Sequence, residues 1–126
     1  MGDRRVRIPL VGFTLLLLFF VATSAQAFPE KHYQNQWCAE QGGQAEVVLA
    51  DNTRADCITT THAIEFDFGK KWAEAIGQSL FYSLQTGKRA GIVLILDNPR
   101  DRKYWIRLNS TIQHFGLPID AWEMAK

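Results

Sequence analysis

Three acidic side chains within twelve residues, Asp56, Glu65 and Asp67, are the part of this sequence best suited to chemistry. They lie on two short stretches, residues 54–59 and 63–68, separated by Thr60, Thr61 and His62. With those threonines as a two-residue turn, Thr59 pairs with His62, Asp56 falls opposite Glu65, and Arg54 falls opposite Asp67. Directly opposed side chains have Cβ atoms about 5 Å apart, and like charges placed so are destabilising. Two facing carboxylates therefore need a reason, and a divalent cation is the simplest: hard oxygen ligands suit Mg²⁺ or Mn²⁺. A solvated face, with Arg54 and Asp67 as a cross-strand ion pair, accounts for the same residues without a metal. A one-residue bulge would undo the pairing altogether.

Downstream, Lys71, Glu74, Gln78 and Tyr82 recur at spacings of three and four, a polar helical stripe beside the apolar one of Trp72, Ile76 and Leu80. Gln78 and Tyr82 could both hydrogen-bond a phosphate held near a metal. An ordinary solvent face would carry the same stripe. Together, an early helix, three strands bearing Asp and then Glu-x-Asp, a helix with Gln-x-x-x-Tyr, and a fourth strand resemble the PD-(D/E)XK nuclease superfamily. That group includes Holliday-junction resolvases and RecB-type nuclease domains. The resemblance spans about residues 37–96. Segments 54–57, 63–68, 71–78 and 86–88 are also similar to a group of small bacterial and phage-associated proteins.

The resemblance implies a restriction-endonuclease-like core and hydrolysis of nucleic-acid phosphodiesters with Mg²⁺ or Mn²⁺. Asp56 matches the first metal-binding Asp and Glu65 the second acidic ligand, with Asp67 beside them, while Gln78 and Tyr82 match the RecB-type helix motif. The superfamily's lysine, two residues after the Glu, is Asp67 here. Lys71 or Lys70, on the neighbouring helix, is placed to supply that ammonium. An extra acidic residue from the first helix points to Glu40. Glu46 faces away from Asp56 in this register and is left out. Small resolvase-like nucleases often act as dimers, so a homodimer is an expectation of the same kind. A chain that lost the lysine would instead be a noncatalytic binding or structural domain.

The elements that must hold these residues can be read from their periods. Pro29 opens a helix carrying Tyr33 and Trp37, which Gly42 and Gly43 end. Residues 45–50 read as a strand, and residues 51–54 are rich in turn formers. In residues 63–68, Ile64, Phe66 and Phe68 alternate with Glu65 and Asp67, a period of two. After Gly69 the period becomes 3.6 over residues 70–85, with Gly87 as the stop. Residues 91–96 are a continuous apolar run, as for a strand covered on both faces. A turn at residues 98–101 leads to a helix over 103–115 that stops at Gly116, and residues 117–122 form a last strand. The order α-β-β-β-α-β-α-β describes an α/β (mixed α+β) domain: one mixed sheet with helices on both faces, and a β-α-β crossover joining parallel strands.

Arg4, Arg5 and Arg7 precede an apolar run over residues 10–22, and Ala25-Gln26-Ala27 fits the small-x-small pattern of signal-peptide cleavage. Residues 1–27 are thus expected to be a signal peptide cleaved after Ala27, leaving residues 28–126 as one periplasmic or secreted domain with no transmembrane segment. An uncleaved anchor is disfavoured because the run is shorter than the roughly 20 residues a span needs. Cleavage takes the formal charge from +1 to about −1. A near-neutral domain lacks the broad basic excess of many nucleic-acid binders, so any polyanion site must be local. Cys38 and Cys57 are the only cysteines. An oxidising compartment favours a disulfide between them, over two buried thiols or an incomplete metal pair. His32, His62 and His114 show no ligand spacing and read as surface or structural. Trp105 and Trp122 read as core aromatics.

Overall fold

A computed structural model describes residues 29–125. The expected signal peptide and cleavage site, residues 1–27, lie outside the described residues. The elements run α1 (Glu30–Glu40), β1 (Gln44–Val48), β2 (Arg54–Ile58), β3 (His62–Phe68), α2 (Trp72–Thr86), β4 (Arg89–Leu96), α3 (Arg102–Phe115) and β5 (Ile119–Ala125). A short 3-10 turn leads into each of α2 and α3. The fold is mixed α+β, with one five-stranded sheet in the order β1-β2-β3-β4-β5. The first three strands form an antiparallel meander, and β3, β4 and β5 are parallel.

The sheet is covered on both faces, and β4 shows why its sequence is continuously apolar. Ile92 and Leu94 bury against Ala75 and Leu108 of α2 and α3. Val93, between them, joins Ile64, Phe66 and Cys57 under Cys38 and Trp37 of α1. On β3 the same alternation sends Ile64 and Phe66 toward α1, so Glu65 and Asp67 turn toward α2. Both helices after the meander end on a left-handed glycine, Gly87 at φ +67° and Gly116 at φ +60°. The last strand is longer than expected, reaching Ala125, because each of its residues finds a parallel partner on β4.

Cys38 and Cys57 form a disulfide that ties α1 to β2, with their Cα atoms 5.8 Å apart. Gly43 lies against this bridge. A Cβ there would come within 2.7 Å of the Cys57 sulfur and 2.8 Å of the Cys38 sulfur. Among the described residues no helix is long and apolar enough to cross a membrane.

Candidate functional site

The hairpin forms in the expected register, with Cys57 opposite Ile64, Ile58 opposite Ala63, and the Thr59 amide bonded to the His62 carbonyl. Past Cys57 the ladder stops and Asp56 takes over. Its carboxylate accepts the Phe66 amide at 2.8 Å. Its own carbonyl accepts the Gln34 side-chain amide at 2.9 Å. A strand edge that would otherwise pair is satisfied by side chains, and the two strands part there.

Into this opening come acidic groups from three elements. Glu65 and Asp67 are 5 % and 4 % exposed, far below what carboxylates normally tolerate. Glu65 Oε2 and Asp67 Oδ2 are buried without a hydrogen-bond partner. Burial, and then the Asp56 charge, push the Glu65 carboxyl well above the usual range. Burial also raises Asp56, opposed by the Phe66 amide. Beside the Asp56 charge, Glu65 is the member of the pair that keeps its proton, because two facing carboxyls do not readily both ionise. Asp67 is pushed up to about 7 by burial and by Glu30, against the pull of Lys71. Tyr82, buried on α2, is raised by burial and by the charges of Glu65 and Asp56.

Lys71, four residues after Asp67 in the turn that follows β3, places Nζ 4.0 Å from Asp67 Oδ1, with its side chain more than half exposed. It touches Asp67 rather than the Asp56–Glu65 pair. Lys70 is exposed. Gln78 sits one turn before Tyr82 on the same ridge of α2 and is exposed, at the rim.

Three expectations need correction. Glu40 is exposed and bonds Gln36 on its own helix, so it does not reach the site. The acidic residue that α1 does supply is Glu30, whose carboxyl is raised by burial and by Asp56. Its signal was the ridge Glu30, Gln34 and Cys38 at i, i+4 and i+8: once Cys38 is tied to the sheet, the other two must lie over it. Glu46 does not face away. The pairs Ala45–Cys57 and Val47–Ala55 put it opposite Asp56, and its φ of +57° turns it to meet Gln34 and Arg54. Arg54 accordingly pairs with Glu46 at 3.2 Å, not with Asp67.

Among the described residues no three His, Cys, Asp or Glu side chains gather closely enough to hold a metal ion between them. A cation here would rest on the two carboxylates of Asp56 and Glu65, leaving its other positions to water and phosphate, a common arrangement for Mg²⁺. The unpartnered Glu65 oxygen fits that demand, since a buried acceptor without a donor is costly unless something occupies it.

The titration of Asp67 has a measurable consequence. Its carboxyl ionises at ordinary acid pH when unfolded but near 7 when folded, so folding takes up a proton between those values. That contribution to stability is fully present at low pH and is lost as pH rises through about 7. Chemical denaturation is expected to show stability falling by on the order of 1 kcal/mol per pH unit from pH 5 to 7. In Asp67→Asn the slope should flatten; an unchanged slope would place the titrating group elsewhere.

No family model matches the chain, and no curated protein or solved structure matches it.

Proposed function

We propose that this chain is an exported, metal-dependent nuclease-like protein that hydrolyses nucleic-acid phosphodiesters. The observation that carries the reading is the buried Asp56–Glu65 pair, held where the strands part and left with an unpartnered oxygen. The arrangement is compatible with a restriction-endonuclease-like core. A bound Mg²⁺ or Mn²⁺ would polarise the phosphodiester and lower the pKa of a water there. Asp56 is oriented by the Phe66 amide and stays fixed while Glu65 gives up its proton. Lys71, on a flexible stem at the rim, can turn from Asp67 toward charge developing on a phosphate. Tyr82 presents a hydroxyl donor from the opposite helix. The disulfide and the leader-like residues 1–27 support a periplasmic or secreted location.

One observation favours a second reading, a noncatalytic binding or structural domain on the same fold. The Asp56 carboxylate already accepts the Phe66 amide, and Lys71 reaches Asp67 rather than either member of the pair. Calorimetric titration of the purified protein with Mn²⁺ separates the two. Saturable binding, with nicking of DNA or RNA in Mg²⁺ or Mn²⁺, is expected for the nuclease. No binding at any pH from 6 to 9 would leave the noncatalytic domain.

A further inference from the structure

At the other end of β3, on the opposite face of the sheet, the side chains build a second site that the acidic cluster does not use. Trp37, Trp122, His62, Gln41, Thr60 and Thr61 line a cleft of about 350 Å³, within the size range of small-ligand sites. The two indoles lie 5.6 Å apart at a tilt of 53°. Trp122 sinks against the sheet because β4 has Gly91 beneath it, where a Cβ would come within 2.9 Å of the ring. His62 stands edge-on to Trp122 at 5.2 Å. Both of its ring nitrogens are engaged, one with Asp120 at 2.8 Å and one with the Thr61 hydroxyl at 2.7 Å. The aromatic wall is therefore fixed before any ligand arrives.

The polar rim is neutral. It consists of the hydroxyls of Thr60 and Thr61 and the Gln41 amide, and none of the lining residues is lysine or arginine. The charges nearby are already paired: Arg89 donates to Asp120 and, with His62, holds its carboxyl down at about 2. Lys88 donates to the Thr60 carbonyl at 2.9 Å. An anionic ligand would meet no unengaged cation on the rim. A sugar ring fits better, because its C–H face is apolar and slightly positive against the negative face of an indole, and its edge carries neutral hydroxyls.

We propose that this cleft binds a short neutral saccharide, stacked on Trp37 and Trp122 and hydrogen-bonded by Gln41, Thr60 and Thr61. The site is independent of the acidic cluster, which lies on the other face. The purified protein would be titrated with the N-acetylglucosamine trimer and with maltotriose, followed by tryptophan fluorescence and calorimetry. Uridine monophosphate serves as the anionic, aromatic competitor. Saturable binding of at least one trisaccharide is expected, at least tenfold weaker in Gln41→Ala/Thr60→Ala and unchanged in Glu65→Gln. Both rim residues are exposed, so the double variant should fold normally. The proposal is overturned if neither sugar binds at millimolar concentration, if the nucleotide binds more tightly than both, or if the rim variant binds as well as the parent.

Discussion

Glu65→Gln is expected to abolish Mn²⁺ binding and phosphodiester cleavage while making the metal-free protein more stable, increasingly so as pH rises. The two effects share one cause. Glu65 is buried beside ionised Asp56 and is protonated when no metal is bound. Above the ordinary carboxylate range, folding must therefore take up a proton at this residue, and stability falls until the raised folded pKa is passed. Glutamine has the same shape, can donate to Asp56, and removes that cost. A gain of about 2 kcal/mol at pH 8, shrinking toward none at pH 5, is the expected size. The same amide cannot serve as an anionic ligand. Losing a directly coordinating group should cost more than the 10–100-fold seen when outer partners of a metal are lost.

The native glutamate is thus kept at an expense in stability, which is where selection for a site shows in a fold. Calorimetry with Mn²⁺ beside urea melts at pH 5 and 8 would read both effects. A Glu65→Gln protein that is less stable at pH 8 and still binds Mn²⁺ would remove Glu65 from the site. Mn²⁺ binding to the parent should also release protons and strengthen with pH, since the ligand must ionise first.

How far this arrangement is legible in the sequence depends on what sets each part. Period-two alternation over β3 separates Ile64 and Phe66 from Glu65 and Asp67. A two-residue turn then leaves one register for the hairpin, so the Asp56–Glu65 opposition follows from local rules. The stops at Gly87 and Gly116 follow from local chemistry too. Glu30 does not. Which acidic residue of α1 reaches the sheet depends on how the helix is rotated over it, and the docking contact, Cys38 to Cys57, is long-range. Glu46 was hidden for another reason: its side chain direction follows from a positive φ, which a non-glycine residue rarely adopts. With Glu46 turned inward, Arg54 loses Asp67 as a partner and Lys71 becomes the cation nearest that carboxylate. The His62–Asp120 bond was equally out of reach, because it joins residues 58 apart through two parallel strand pairings.

Reducing the disulfide, or replacing Cys38 and Cys57 with serine, is expected to loosen α1 before the sheet melts, and with it the electrostatics of the acidic cluster. Closing a loop between cysteines 19 apart contributes on the order of 3 kcal/mol, a large share of the roughly 5–15 kcal/mol available to a domain. For a domain of about a hundred residues that loss lowers Tm by on the order of 10–20 °C. Besides the bridge, α1 is held by Tyr33 against Phe68 and by Trp37 against Phe66 and Trp122. Its buried residues are Tyr33, Gln34 and Cys38, and Gln34 is bound by hydrogen bonds rather than by apolar packing. Hydrogen exchange should therefore show the α1 amides losing protection while β3 and β4, whose side chains form both cores, keep theirs. As the helix departs, Glu30 leaves Asp67, and the largest charge that raises its carboxyl goes with it. In the reduced protein the fall in stability between pH 5 and 7 should consequently become shallower. Equal protection of α1 and the sheet after reduction, together with an unaltered pH slope, would mean that the helix is held by contacts other than the bridge and that Glu30 does not act on Asp67.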